Sequence, residues 1–324
     1  MVEADDWTGL PAELLCQVFR LLPISDLRSV MLVCKRWGEA GGMPSVWASV
    51  NIVVTRINLA AMPKVLGSPR LMLVKELGMS AVSTKMIEAL ERHPGIRKVD
   101  MEDTCLSGIQ PRLLVQALSN LEHVNLTGTQ LSVDQVTDLC SSLLDGTIRL
   151  RSLSFAWNDL SLLEPTLLAK AVSMVVDVVD LRNSCLTTEQ TEAIFEAIAN
   201  ACQPRKICMR HNDMSEADAD ILARGAHKVE EVDLRHTSLT LHQVITILGH
   251  SLLDTKLRRI ELGFVEVYCR EDAKLLNKLI VQTKFVILVN YERYNKPEFG
   301  ELGELDYYSS SDESDDDSLY LENF

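Results

Sequence analysis

A three-residue apolar signature, apolar-x-x-apolar-x-apolar, recurs along this chain with a period in the high twenties, and that period leaves few folds open. It begins at Ile96/Val99/Met101 and continues through Leu121/Val124/Leu126, Leu150/Leu153/Phe155 and Val176/Val179/Leu181. Pro204/Ile207/Met209, Val229/Val232/Leu234 and Leu257/Ile260/Leu262 follow, with Lys284/Ile287/Val289 as a weaker last copy. Val74/Leu77/Met79 and a segment around Ile52 and Val54 are degenerate early copies. The first residues of successive copies are 25, 29, 26, 28, 25, 28 and 27 apart. Self-similarity at this spacing marks a solenoid, because one unit cannot bury its apolar face alone and stacked units share a core.

The interior of each unit agrees. With the first anchor as position 0, position 8 is small and polar: Thr104, Thr129, Asn158, Ser184, Asn212 and Thr237. Position 10 is apolar, and position 11 is a helix N-cap type with an acid or amide three residues later. The pairs Ser107/Gln110, Ser132/Gln135, Ser161/Glu164, Thr187/Gln190 and Thr240/Gln243 fit a capping box, and Ser215/Asp218 has a side chain shorter than the box prefers. The apolar period then becomes helical, as in Val136, Leu139, Cys140, Leu143 and Leu144. Each unit therefore reads as strand, turn and helix, an α/β pattern.

Over about residues 48–291 this resembles the leucine-rich repeats of the ribonuclease-inhibitor type. The resemblance implies a curved horseshoe with a parallel sheet on its concave face and helices outside. Side chains on a strand alternate between faces, so positions 3 and 5 point to the core and positions 2, 4 and 6 to the concave side. Position 6 carries Arg182, Arg210 and Arg235 in consecutive repeats, and position 7 carries Trp157, His211, His236 and Phe264. Parallel strands lie about 4.8 Å apart, so the arginines would form a column. These seven residues are the expected substrate-binding set. The arginine forks would suit an acidic or phosphorylated protein. Asp180 and Asp233 at position 4 set up the competing expectation, an internal salt-bridge ladder.

Ahead of the repeats, "LPAELLCQVFRLLPISDLRSVMLVCKRW" runs from Leu10 to Trp37. Pro11 suits a helix start, Leu14, Leu15, Val18, Phe19 and Leu22 follow at helical spacing, and Pro23 stops the run. Ser25 can cap a second helix, and a third short one fits Lys35 to Ala40 before the Gly41-Gly42 pair. A three-helix core this small needs a partner or a neighbouring domain. The Leu-Pro opening, Glu13, Val18-Phe19, Leu22-Pro23, Asp26-Leu27, the Val-Cys-Lys-Arg-Trp run and Trp47 together resemble an F-box. The resemblance implies docking onto a Skp-type adaptor, and through it a cullin–RING complex, as the substrate receptor of an SCF-type ubiquitin ligase. By position, the adaptor-facing set is Leu10, Pro11, Leu14, Leu15, Val18, Phe19, Leu22, Leu27, Val33 and Cys34. The expected layout is an F-box at 7–47, repeats at 48–291 and an acidic tail at 292–324.

Charge and cysteines narrow the alternatives. The formal charge is −14, but residues 298–324 hold ten acids and no Lys or Arg, which leaves the body near −4. Nucleic-acid binding wants a basic field instead. No apolar run is long enough for a membrane span and the acidic start has no signal-like h-region, so an intracellular protein, cytoplasmic or nuclear, is expected. The eight cysteines include no CxxC pair and no His at zinc-finger spacing, so no metal, no cofactor and no disulfide framework is expected. No catalytic motif stands out; Cys202 and Cys208 are close and His211 follows, but Cys208 falls on a strand with His211 just beyond it and reads better as a small half-buried strand residue than as half of a thiolate–imidazole pair. A non-catalytic subunit is the expectation. The competing class is a repeat scaffold that regulates or inhibits a small GTPase, since such repeats with an acidic tail also resemble the Ran GTPase-activating proteins, which carry no F-box. In the tail, Ser309, Ser310 and Ser314 each precede an acid by three residues, a pattern for acidophilic kinases. The tail has the composition of a disordered segment, and folding back on the arginine column is a further expectation for it.

Overall fold

Two apolar stripes run along the first helix, α1 (Ala12–Phe19), and only one of them turns inward. In this computed structural model, residues 10–47, 52–201, 203–250, 255–267, 269–283 and 286–290 are described. Leu15, Cys16 and Phe19 of α1 are buried, together with Leu27 of α2 (Ile24–Val30) and Ala40 of α3 (Lys35–Gly41). Phe19 meets Trp37 edge to face at a centroid distance of 5.5 Å. The second helix starts at Ile24 behind Pro23, two residues earlier than a Ser25 cap would place it. Gly38 and Gly41 sit inside α3 because Met31 presses on them: a Cβ on Gly38 would lie 3.0 Å from the Met31 carbonyl oxygen, and one on Gly41 would overlap the Met31 side chain. A further turn, α4 (Pro44–Trp47), buries Val46 and is tied back by Trp47 Nε1–H donating to Gly41 O at 2.8 Å.

The chain divides between Asn158 and Asp159 into two compact units. The first holds these helices and β1 (Ile52–Val54), α5 (Met62–Leu66), a 3-10 turn at Pro69–Leu71, β2 (Glu76–Met79), α6 (Thr84–Glu91), β3 (Lys98–Asp100), α7 (Pro111–Leu118), β4 (His123–Asn125), α8 (Val133–Leu144) and β5 (Ser152–Ser154). The second holds α9 (Pro165–Val172), β6 (Val178–Asp180), α10 (Thr188–Ala201), β7 (Lys206–Cys208), α11 (Ala219–Ala226), β8 (Glu231–Asp233), α12 (Leu241–Gly249), β9 (Arg259–Phe264), α13 (Arg270–Gln282) and β10 (Val286–Asn290). Strand neighbours are parallel and in chain order within each unit. The register is set by position 3: Leu77, Val99, Val124 and Leu153 align in the first unit, and Val179, Ile207, Val232, Ile260 and Ile287 in the second. Positions 3 and 5 are buried from Val99/Met101 through Ile260/Leu262, as the pattern predicts. Lys284 lies outside the described residues.

Two departures show how the repeats are built. Val176 is exposed and Val175 fills the core in its place. Counted from Val175, the spacings become 25, 29, 25, 29, 25 and 28, a strict alternation of short and long repeats. The helices alternate with them. In the long repeats the capping boxes form as predicted: Ser132/Gln135 and Thr240/Gln243 are reciprocal, and Thr187 N–H and Gln190 N–H are each bonded to the other residue's side chain. In the short repeats the helix starts three residues later, with Gln110, Glu164 and Asp218 as N-caps. Ser107, Ser161 and Ser215 are therefore not N-caps. Proline explains two of these cases, since Pro111 and Pro165 take the first helical position, where no N–H is needed.

The late start leaves a tight turn in each short repeat, and its carbonyls face the interior. The long repeat that follows supplies the donors. The Gln135 amide donates to Leu106 O (2.8 Å) and Ile109 O (2.7 Å), and Gln190 donates to Leu160 O and Leu163 O (both 2.8 Å). Gln243 does the same for Met214 O and Ala217 O at 2.7 Å each. Position 8 works similarly: Asn158 Nδ2 donates to Leu126 O (2.7 Å) and Phe155 O (3.1 Å), and Asn212 Nδ2 to Leu181 O (2.7 Å) and Met209 O (2.9 Å). Replacing Gln190 by Leu strips donors from two buried carbonyls and should lower stability by about 2 kcal/mol or more. The same change at the exposed Gln116 should stay within about 0.5 kcal/mol. Urea unfolding of both variants checks this, and equal losses would remove the donor role.

Two buried histidines link stability to pH. His93 Nδ1 accepts N–H bonds from Gly95 and Ile96 at 3.2 Å, so the proton resides on Nε2, which donates to Leu71 O at 3.0 Å. His227 donates from Nε2 to Ile247 O at 2.7 Å and faces the Thr255 hydroxyl at 2.8 Å. Burial lowers both pKa values below the ordinary 6.5. The native state then binds fewer protons than the unfolded chain, so this stability is fully present above pH 6.5 and is lost as the pH falls below it. Urea midpoints at neutral and mildly acidic pH should differ less in His93→Gln and His227→Gln than in the parent. An undiminished difference in both variants would assign the acid sensitivity elsewhere.

Candidate functional site

Two surfaces carry the candidate residues. On the first unit, the adaptor-facing set splits by burial. Leu14, Val18 and Val33 are exposed apolar side chains, and Pro11 is exposed beside them. Leu10, Leu22 and Cys34 are half-buried. Leu15, Phe19 and Leu27 lie inside the helical core and do not reach the surface, because they hold α1, α2 and α3 together. Two outward residues are absent from the sequence-derived set: Leu21 at 85% exposure and Leu32 at 83%. Leu21 had a signal, since Leu14, Val18 and Leu21 are spaced i, i+4, i+7, so Leu21, in the turn just after α1, extends the helix's second stripe. A helix this short with apolar residues on both sides leaves one apolar face exposed.

The second surface is the sheet face away from the helices. Its strands are mostly three residues long and end at position 4. Positions 6 and 7 therefore lie on the turn that follows, not on the strand as the alternation assumed; β9, which reaches Phe264, is the exception. The chain turns through the left-handed region at position 7, with φ near +58° at Trp157, +57° at His211 and +58° at His236. Such values are unusual for large side chains, and here the inward-folding polar groups hold the turn. Position 4 explains its own chemistry. Asp100, Asn125, Asp180 and Asp233 accept the N–H of the residue two further on, at 3.0–3.1 Å.

In the second unit this makes a ladder. Asp180, Cys208, Asp233 and Glu261 are adjacent across β6 to β9. Arg182 Nε lies 2.9 Å from Asp180, and Arg235 reaches both Asp233 (2.7 Å) and Glu261 (2.9 Å). Arg259 meets the other Glu261 oxygen at 2.8 Å. Burial pushes the Asp180 carboxyl up from its ordinary range, against the pull of the Arg182 guanidinium. Burial, and then the charges of Asp180 and Asp233, push the Cys208 thiol well up, so it is a protonated core residue. Cys202 lies outside the described residues, as do Ser309, Ser310 and Ser314. Arg182 is only 5% exposed and Arg210 only 6%. The arginine column is thus a correction to the expected reading surface: its first two members lie beneath the surface, with Arg182 in the salt-bridge ladder, and Arg235 alone of the three is partly open.

What does face outward is the position-7 row. His211 and His236 are exposed and stack with ring centroids 4.6 Å apart and planes 2° from parallel. Phe264, in the next repeat, is half exposed. Trp157 is exposed on the first unit. Among the described residues no group of three or more His, Cys, Asp or Glu is placed to hold a metal ion, and no helix is long and apolar enough to cross a membrane. Residues 7–53 match the F-box-like family. A solved structure, the TLR13–ssRNA13 complex, aligns with 75% of this chain at 12% identity and a TM-score of 0.38, and this chain spans 35% of that one's length.

Removing Arg182 leaves Asp180 buried without its partner, so Arg182→Ala should cost about 3–5 kcal/mol. His211→Ala and His236→Ala remove exposed rings and should cost less than about 1 kcal/mol. Thermal unfolding of the three variants checks this; a mild Arg182→Ala would return that residue to the surface-reading role.

Proposed function

We propose that this chain is the substrate receptor of an SCF-type ubiquitin ligase, in which the F-box-like segment docks a Skp-type adaptor and the repeats hold a protein client. The observation that carries the reading is the outward set Leu14 and Val18 on α1, Leu21 in the turn after it, and Leu32 and Val33 beyond α2, over a helical core that is already filled by Leu15, Phe19 and Leu27. A family match at residues 7–53 supports the same partner. Pro11, Leu10, Leu22 and Cys34 border the stripe, and Leu15, Phe19 and Leu27 position it without touching the adaptor. The adaptor joins the chain to a cullin–RING complex, and the ligase chemistry lies in those subunits.

On the repeats, the client side is the position-7 row: His211, His236 and Phe264 with Arg235 in the second unit, and Trp157 in the first. Stacked imidazoles beside a guanidinium suit an acidic or phosphorylated segment. Arg182 and Arg210 shape this row from behind. Ser309, Ser310 and Ser314 are phosphorylation sites in this reading.

Leu14→Glu with Val18→Glu tests the adaptor half. Both side chains are exposed, so the melting temperature should hold while co-purification with a Skp-type adaptor is lost. Retained adaptor binding would sink the reading. Nucleotide-dependent capture of a small GTPase in its place would favour a regulator scaffold.

A further inference from the structure

A cavity of about 800 Å³ opens where the last F-box-like helix, α4, meets the edge strand β1 and the α5 segment of the first unit. That volume lies within the range of about 300–1,000 Å³ usual for small-molecule sites. Its walls are apolar, built from Trp47, Ile52, Val53, Met62, Val65 and Leu71. The indole of Trp47 is fixed by its bond to Gly41 O, so one wall is preset. Val53 and Val65 remain about half exposed at the opening although they belong to a strand and a helix with buried neighbours.

The polar groups of the site decide what it can hold. Asn58 is already engaged, accepting from Thr55 N–H at 2.7 Å and donating to Val53 O at 3.1 Å. Among the described residues no Asp or Glu lines the cavity. Two cations do, Lys64 and Arg70, and neither has an ion pair or side-chain hydrogen bond among the described residues. This differs from the charged groups of the second unit's sheet face, where Arg182, Arg235 and Arg259 each meet a carboxylate. Two uncommitted cations at the mouth of an apolar cavity complement one ligand chemistry: an apolar body with a single anionic head. The body would displace water from Trp47, Met62 and Val65, and the head would stay at the solvent side with Lys64 and Arg70.

We propose that this cavity is a binding site for a small amphipathic anion, a carboxylate with an aliphatic or aromatic body. It is independent of the adaptor reading and of the client row. Because the cavity is bounded both by α4 and by β1, an occupant would brace the F-box-like helices against the first repeat and raise the melting temperature.

The experiment is calorimetric titration of the full-length chain with decanoate below its micelle concentration, beside hexanoate and decyltrimethylammonium. One decanoate per chain is expected, with hexanoate weaker because it buries less chain. Decyltrimethylammonium should bind about tenfold more weakly, the scale of one unit charge pair at a few ångströms in a partly screened site. Lys64→Glu with Arg70→Glu should reverse the preference between the two head groups while leaving adaptor capture intact; both side chains are exposed, and Lys64→Gln with Arg70→Gln gives a second, milder arm that should lose the preference. Absence of saturable decanoate binding, equal affinity for both head groups, or unchanged decanoate affinity in the variants would each overturn the proposal. Capture by phosphatidylglycerol vesicles without binding of monomeric decanoate would also overturn it, assigning the cations to a lipid surface.

Discussion

Buried carbonyls need donors, and the repeats of this chain depend on three glutamines and two asparagines that supply them. A unit of one short strand and one helix must turn its chain twice inside a shared core. Each turn directs peptide oxygens inward, where a missing hydrogen bond costs more than a made one returns. The amides of Gln135, Gln190 and Gln243 each reach two such oxygens of the preceding repeat, and Asn158 and Asn212 reach oxygens at the end of their own and the preceding strand. The apolar ladders at positions 3 and 5 make stacking favourable, but they are not directional. The amides fix how far one repeat advances on the next.

The same economy governs the sheet face. Position 4 is acidic or amidic because it must accept an N–H from the turn that follows. A buried acid then needs a countercharge, and where Asp180 and Asp233 stand, Arg182 and Arg235 follow two residues later. Where position 4 is Asn125 or Ser154, position 6 is Thr127 or Ala156. Arg182 and Arg235 are in that sense a consequence of the turn, whereas Arg210 follows Cys208 and has no acid two residues before it. The side chains that this arrangement turns outward are those of position 7, His211, His236 and Phe264.

Much of this was legible before any coordinates. The strand–turn–helix unit, the core positions and the long-repeat capping boxes follow from periodicity and from Ser-x-x-Gln spacing, both local properties. The short-repeat helix starts were also written in the chain, at Pro111 and Pro165 and in the short side chain of Asp218, but the box motif upstream of them competed for the reading. The one-residue slip at Val175-Val176 was not legible, since two adjacent valines present the same chemistry and only packing chooses between them. Burial of Arg182 and Arg210 was not legible either. It depends on strands that stop after three residues, which alternation alone does not reveal. On α1 and in the turn after it, the pattern that marks Leu15 and Phe19 as core is interleaved with the one that exposes Leu14, Val18 and Leu21, and apolarity alone does not separate the two.

The glutamine bridges run from each long repeat to the short repeat before it, and this makes the two a couple. Removing a lone short repeat would leave an amide with nothing to bind, and removing a lone long one would leave a turn with bare oxygens. The pair closes its own glutamine bonds, and Asn158 and Asn212 tie each pair in turn to the long repeat before it. The unit by which such a chain could be lengthened, trimmed or shuffled without a penalty at the seam is therefore the doublet, and its history is to be looked for in even numbers of repeats.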